Sequence, residues 1–347
     1  MKGNLLKGLR LLILLIAIGV TYFFSDRLLS LKTLHGICQA RDMYAQPENT
    51  IDVVFMGSSH VHYNINTAQM WEEYGIASYD YSSAEQPLWV TYYYLQEICK
   101  YQNPQLIVLD LYCPARFKDD YQYYYLTDSL NGMKFSLNKV KMLNSCCEPQ
   151  NLFDYFPSIV TYHSRYSELE DEDFEYLLAS TEDRSSFKGY TPYFKVSPQK
   201  EPEWDCDASG GLTAKSEEYL LKIIDYCRQE GMDLYLTVTP YLTSNEDELV
   251  YNRIHEIADE QGLNFDSSNY SYEEMGLNFK TDFNDDSHLN YFGSCKYTSY
   301  LAKNIKNSYD IPDRRGLDKW ESWDRHAAEV RTYVNRQLAS SKDKKTG

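Results

Sequence analysis

Residues 51–60 read IDVVFMGSSH, in which the short β-branched run Ile51 to Met56 is stopped by Gly57. A brief apolar run bounded by a turn residue predicts a buried strand that ends in a tight turn. The neighbouring sequence repeats that punctuation. Thr67 to Tyr74 has helical spacing, Ala77 to Tyr81 reads as a second strand, and Pro87 opens a helix to about Gln102, since proline is tolerated in a first turn. Leu106 to Leu111 (LIVLDL) is the next buried strand. Further on, a helix from Ser216 to Glu230 is closed by Gly231 in the C-cap role, and Leu234 to Thr239 (LYLTVT) is a strand stopped by Pro240. A helix from Asn245 to Gln261, a short strand near Asn264 to Asp266 and a last helix from Tyr291 to about Asn307 complete the series. Strands and helices alternating at this spacing predict an α/β fold, with a parallel sheet covered by helices on both faces. Residues 113–214 break the alternation: rich in Tyr, Ser, Asp and Glu with little strand signal, they predict an insertion or lid of mixed helix and loop.

The chain has 347 residues, room for two average domains or one large α/β domain with an insertion. Its 51 acidic residues exceed its 34 basic ones, for a formal charge of −17. No block of Lys and Arg is long enough to track a phosphate backbone, which argues against nucleic acid as a partner. Lys2, Lys7 and Arg10 mark a basic tip over residues 1–10, after which Leu11 to Phe24 runs uncharged and almost wholly apolar for 14 residues. Ser25, Asp26 and Arg27 interrupt that run short of the roughly 20 residues that span a bilayer, and Leu28, Leu29 and Leu31 extend it only beyond the break. A cleaved signal peptide would need small residues at its cleavage site. Tyr22, Phe23 and Phe24 stand there instead, and aromatics favour the membrane interface. The reading is an uncleaved signal anchor, a transmembrane helix over 11–31, with the basic tip cytoplasmic and the rest of the chain extracellular. A spacer over 32–50 leads into a domain over 51–307.

Residues 308–347 differ from the rest. Leu317, Trp320, Trp323, Ala327, Val330 and Val334 are spaced by threes and fours, an apolar stripe on one helix. Such a stripe packs on its own domain or, in the sharper reading, meets a partner. Ser340 to Gly347 is polar and predicts disorder. The eight cysteines follow no Cys-x-x-Cys spacing, so no structural zinc site is expected, and Cys99 and Cys227 fall within apolar helical patterns as small buried hydrophobes. An exported chain would permit disulfides, but the spacing does not define a pairing.

Two segments carry chemistry. Gly57-Ser58-Ser59-His60 ends the first buried strand before a helix, and ligands of open α/β sheets bind at the carboxyl ends of the strands. A serine there can aim both its hydroxyl and its backbone N–H into the crevice, although glycine-serine turns without chemistry are common. Asp285-Asp286-Ser287-His288-Leu289-Asn290 precedes the last helix. A serine nucleophile needs an imidazole base, and the imidazole needs an acceptor that fixes its tautomer. Asp285 and His288, three residues apart, can meet across one turn and leave the other ring nitrogen for Ser59.

Strand-Gly-x-Ser near the start with Asp-x-x-His near the end resembles the signature of the SGNH (GDSL-type) hydrolases, over roughly residues 50–307 with 113–214 as an insertion. The resemblance implies a flavodoxin-like three-layer α/β/α fold in which Ser59 is the nucleophile, His288 the general base and Asp285 the orienting acid. The Gly-Ser-Ser form is also similar to the membrane-anchored D-alanyl transfer proteins of teichoic acid synthesis and to related envelope acyltransferases. Two features of the family are missing. Its oxyanion-hole glycine after the second strand corresponds to Ser82-Ser83-Ala84-Glu85-Gln86, and its Gly-x-Asn-Asp block to Asp110-Leu111-Tyr112-Cys113. The expected oxyanion donors are therefore the backbone N–H groups of Ser59 and Ala84. Losing one such donor can cost ~10²–10³ in rate.

Gln86, His163 and Arg165 are the candidate substrate-binding residues, the last two in Tyr162-His163-Ser164-Arg165, where a cation and an imidazole can position an anionic or hydroxylated group. An ordinary helix surface explains that motif as well. Asp282, Asn284 and Asp286 imitate a calcium loop only briefly, because Ser287 and Gly293 occupy its required glycine and glutamate positions. The 33 tyrosines, among them Tyr121 and Tyr123 to Tyr125, offer stacking faces for sugars or plain core and surface bulk. The sequence thus predicts an extracytoplasmic serine esterase or O-acyltransferase, without cofactor or metal, acting on acyl esters of a cell-envelope glycan or teichoic-acid-like acceptor. The alternative is a non-catalytic envelope protein of the same fold that binds glycan or a membrane acyltransferase.

Overall fold

Five short strands form the centre of the chain: β1 (Val53–Met56), β2 (Ser78–Asp80), β3 (Leu106–Asp110), β4 (Asp233–Val238) and β5 (Phe265–Ser267). In the computed structural model, which describes residues 2–178 and 187–346, they make one sheet in the order β2-β1-β3-β4-β5, every pair parallel. This is a doubly wound order whose direction of growth reverses between β1 and β3. Alternate residues of each strand point to opposite layers. Val54, Met56, Ile107, Leu109, Leu234 and Leu236 enter one hydrophobic cluster, while Val53, Phe55, Leu106, Val108 and Tyr235 enter the other. Both faces are covered, so the strands can be apolar throughout, which is why they read as continuous runs and not as alternating ones.

The strands and helices outside 113–214 fall within a few residues of their expected limits. Helices run over Thr67–Tyr74, Leu88–Ile98, Ala214–Glu230, Asn245–Gln261 and Tyr291–Ser308. Gly231 closes the Ala214–Glu230 helix at φ +71°, the left-handed conformation that glycine adopts without strain. The insertion is helical, with short elements that include Leu126–Gly132, Leu137–Cys146 and Ser158–Tyr162. Residues 179–186, which belong to it, lie outside the described residues.

Three expectations at the ends of the chain change. The first helix, expected over 11–31, takes in the basic tip and ends two residues earlier, running over Lys2–Leu29 without a break at Ser25, Asp26 and Arg27. Its stretch Asn4–Leu29 is long and apolar enough to cross a bilayer, and none of it is buried against the protein. At 1.5 Å per residue its 26 residues span about 39 Å, more than the ~30 Å of a hydrocarbon core. The expected spacer holds a helix over Ile37–Met43 whose Ile37, Ala40 and Met43 are wholly buried. A Cβ on Gly132 would come within 2.4 Å of Ala40 Cβ, so the close approach of the Leu126–Gly132 helix to this segment requires glycine. Finally, the last helix runs over Glu321–Thr346, through residues that composition predicts to be disordered. No glycine or proline interrupts it before Gly347. Its Trp323, Ala327, Val330 and Val334 are buried in the chain's own core. From Trp323 onward the stripe therefore packs on its own domain, whereas Leu317 and Trp320 precede the helix and Leu317 is exposed. All eight cysteines are separate thiols, with Cys227 buried and Cys99 half-buried.

Candidate active site

Gly57 carries the chain from β1 to the Ser59–Asn64 helix at φ +149°, and a Cβ there would lie 2.8 Å from Asp110 Cβ. Only glycine makes this turn against β3 without displacement. Ser58 caps the helix, its hydroxyl accepting from the His60 amide at 3.3 Å. Ser59 follows as the first helical residue, half-buried, where its own amide has no intrahelical acceptor. The hydroxyl and the amide of Ser59 thus stand together at the carboxyl end of β1.

The other half of the site is the loop before Tyr291–Ser308. Phe283 and Leu289 pair as an antiparallel bridge, the Leu289 amide donates to Asn64 Oδ1 at 3.0 Å, and Asn290 caps the helix through the amides of Phe292 and Gly293. The loop is thereby closed on itself and fastened to the helix that bears Ser59. It holds His288 Nε2 at 2.9 Å from Ser59 Oγ. His288 Nδ1 lies 3.1 Å from Asp285 Oδ1, which also accepts the amides of Ser287 at 2.9 Å and His288 at 2.7 Å. Burial by itself would raise the Asp285 carboxyl, but the hydrogen bonds and charge it receives from His288 and these amides outweigh it and hold the group well below the usual carboxylate range. The neighbouring Asp286 is exposed and does not take this place.

Beneath the pair lies a buried polar layer built on His60 and Tyr112. His60 is fully buried and bonds Thr239 Oγ1 and Ser287 Oγ, each at 2.9 Å, while its ring stacks on Tyr112 with centroids 3.6 Å apart. Tyr112 Oη reaches the same Ser287 hydroxyl at 2.9 Å. Burial, reinforced by the neighbouring His288, pushes His60 well below the usual histidine range, so it stays uncharged. Tyr63 sets its ring edge-on to His288 at 5.2 Å, stacks on Tyr193 at 3.9 Å and bonds His35 Nδ1 at 2.7 Å. The histidines and tyrosine of Ser59-His60-Val61-His62-Tyr63 are the signal that would have drawn attention to this layer.

The remaining candidates are placed differently. The Ala84 amide donates to the His35 carbonyl at 2.7 Å, so it is committed within the protein and is not an oxyanion donor. Gln86 is buried, accepts from Ser83 Oγ and donates to Thr91 Oγ1, so it holds the turn after β2. Arg165 donates to the carbonyls of Leu29 and Ser30 and pairs with Asp173 at 2.9 Å. It ties the insertion to the end of the first helix. His163 is exposed and bonds the Val160 carbonyl three residues back in its own turn, at 2.7 Å. None of these hydrogen bonds involves Ser59, His288 or Asp285. Among the described residues no three His, Cys, Asp or Glu side chains are grouped to hold a metal ion.

The sequence matches no protein-family model and no curated protein.

Proposed function

We propose that the chain is a membrane-anchored serine esterase or O-acyltransferase of the SGNH type, acting on acyl esters of cell-envelope glycopolymers. The observation that carries this reading is the contact of Ser59 Oγ with His288 Nε2 at 2.9 Å, with Asp285 on the far side of the imidazole. In the proposed reaction Ser59 Oγ attacks the ester carbonyl as His288 Nε2 takes its proton. The C–O bond to the leaving alcohol breaks, the alcohol receives the proton from His288, and the acyl group stays on Ser59. Water or an acceptor hydroxyl then gives its proton to His288 and takes the acyl group, which restores the serine. Asp285 holds the tautomer that presents Nε2 to the hydroxyl and stabilises the imidazolium. The Ser59 amide is the oxyanion donor at the helix start. With the basic tip inside, the domain would face the cell envelope, where such esters occur.

The non-catalytic alternative draws on the commitment of the Ala84 amide, which leaves the oxyanion with fewer donors than the family supplies. One experiment separates the two. Treatment of the full chain in detergent with a fluorophosphonate probe is expected to modify Ser59, and the His288→Ala variant is expected to lose the label. A folded wild-type chain that takes no label, or takes it elsewhere, would favour the binding reading.

A further inference from the structure

A cavity of about 700 Å³ opens where the first helix meets the globular body, lined among others by Tyr22, Phe23, Arg27, Arg41, Lys139 and Phe156. Its level relative to a bilayer follows from the helix. The uncharged run ends at Phe24, and Tyr22 and Phe23 are residues that settle at a membrane interface, so the cavity lies at headgroup depth. The insertion surface beside it is apolar and open: Phe135, Leu137 and Phe153 are 71%, 82% and 81% exposed. Large apolar side chains left bare in this way belong against lipid. The helix and this rim are fastened together, because the Ser158 hydroxyl donates to Asp26 and lies 3.4 Å from Tyr22 Oη.

The charge of the cavity is opposite to that of the chain. In a protein of formal charge −17, Arg27, Arg41, Lys134 and Lys139 gather here, and Asp26 is the one carboxylate among the described lining residues. Lys139 Nζ donates to the Met133 carbonyl at 3.1 Å, and no carboxylate lies within ion-pair distance of it among the described residues. Burial lowers its ammonium to about 8, which an arriving anion would reverse. Phe135 and Phe156, stacked with centroids 5.5 Å apart, supply an apolar wall next to these cations. Aromatic walls leading to a basic end match one kind of molecule.

We infer that this cavity binds a membrane lipid with a net-anionic phosphate headgroup, drawn from the leaflet that faces the globular body. The phosphate meets Lys139 and Arg41, and the upper acyl chain lies along Phe135 and Phe156. The inference rests on the first helix lying in a bilayer and is independent of the chemistry at Ser59. The occupant would share the segment that carries His35, since Ser30 and Arg41 line the cavity and His35 between them bonds Tyr63 beside His288.

The test uses the full chain in phosphatidylcholine nanodiscs doped with phosphatidylglycerol bearing a diazirine on its acyl chain, against the same tag on phosphatidylcholine. The glycerol lipid is expected to label peptides containing 133–139 or 156–158 in excess, by about fivefold for each cation that senses its charge. Lys139→Gln and Arg41→Gln are expected to bring that labelling down to the phosphatidylcholine level, with labelling along 11–24 unchanged. Lys139→Arg, which keeps the cation, is expected to retain it and so controls for a disturbed fold. Equal labelling by the two lipids, labelling that survives both glutamine variants, or loss of it in Lys139→Arg would each overturn the inference. Release of the chain from membranes by alkaline carbonate would overturn it through its premise, whereas failure of the fluorophosphonate experiment would leave it standing.

Discussion

Asp285 does two jobs with one carboxylate: it accepts the backbone amides that shape the loop and it faces His288 Nδ1. Because its proton affinity is depressed in the folded chain, its contribution to stability is complete above the ordinary carboxylate range near 4 and is lost as pH falls toward the lower folded value. Asp285→Asn keeps the shape and removes the charge. Fluorophosphonate labelling of Ser59 is expected to slow by ~10²–10⁴, and the melting temperature to fall as the stabilising charge is lost; an unchanged labelling rate would take Asp285 out of the site. Gly57→Ala probes the other half. A Cβ at φ +149° against Asp110 is expected to cost ~1–3 kcal/mol in a denaturant titration and to slow labelling by re-aiming Ser59. Ser59, Asp285 and His288 were legible because each stands in a short motif whose neighbours declare the turn or the loop. His60 was not, because its role depends on Thr239 and Ser287, residues 179 and 227 positions away.

The last helix shows what periodicity conveys and what it omits. Spacing by threes and fours defined the stripe, but its bed against Thr67–Tyr74 comes from the fold. Trp323 is fully buried, donates its indole N–H to the Ser78 carbonyl at 3.3 Å and carries Lys188 Nζ 3.9 Å above its ring. Trp323→Ala is expected to lower stability by ~3–5 kcal/mol, read from chemical denaturation in detergent. One turn on, His326 is buried and bonds Thr67 Oγ1 at 3.0 Å. Burial, with Lys188 nearby, holds it well below the usual histidine value. The unfolded chain therefore binds a proton below about pH 6.5 that the folded chain refuses, so this residue makes stability fall as pH falls through that window. Asp80 and Asp110, raised by burial, act in the opposite direction, which makes the difference between variants the useful quantity. His326→Gln is expected to flatten the slope of stability against pH by up to about 1.4 kcal/mol per unit below 6.5. A parallel pair of curves would contradict the assignment.

At the scale of the molecule, the insertion is joined to the base of the first helix through a buried charge cluster. Asp173 bonds Lys32 at 2.6 Å and Arg165 at 2.9 Å, with both Lys32 and Asp173 side chains nearly inaccessible. Removing one member strands the others in a poorly solvated place. Asp173→Ala is expected to destabilise this junction by ~3–5 kcal/mol, seen as faster proteolysis within 113–178 while the sheet stays resistant. Uniform protection would show that the cluster does not hold the insertion. The structural partners of Arg165 were not legible in the sequence for the same reason: Leu29 and Ser30 are 136 and 135 positions away, and no local pattern links them.

The sequence by itself determined the parallel α/β alternation, the apolar first helix and the three residues that meet at Ser59. Each is written in nearest-neighbour terms: apolar runs, turn residues and a three-residue spacing. Only the tertiary structure decided that residues 37–43 belong to the core and that the Ala84 amide is already bonded. The physical reason is common to both. Burial and hydrogen-bond commitment depend on which distant groups arrive at a position, and local sequence does not specify that arrival.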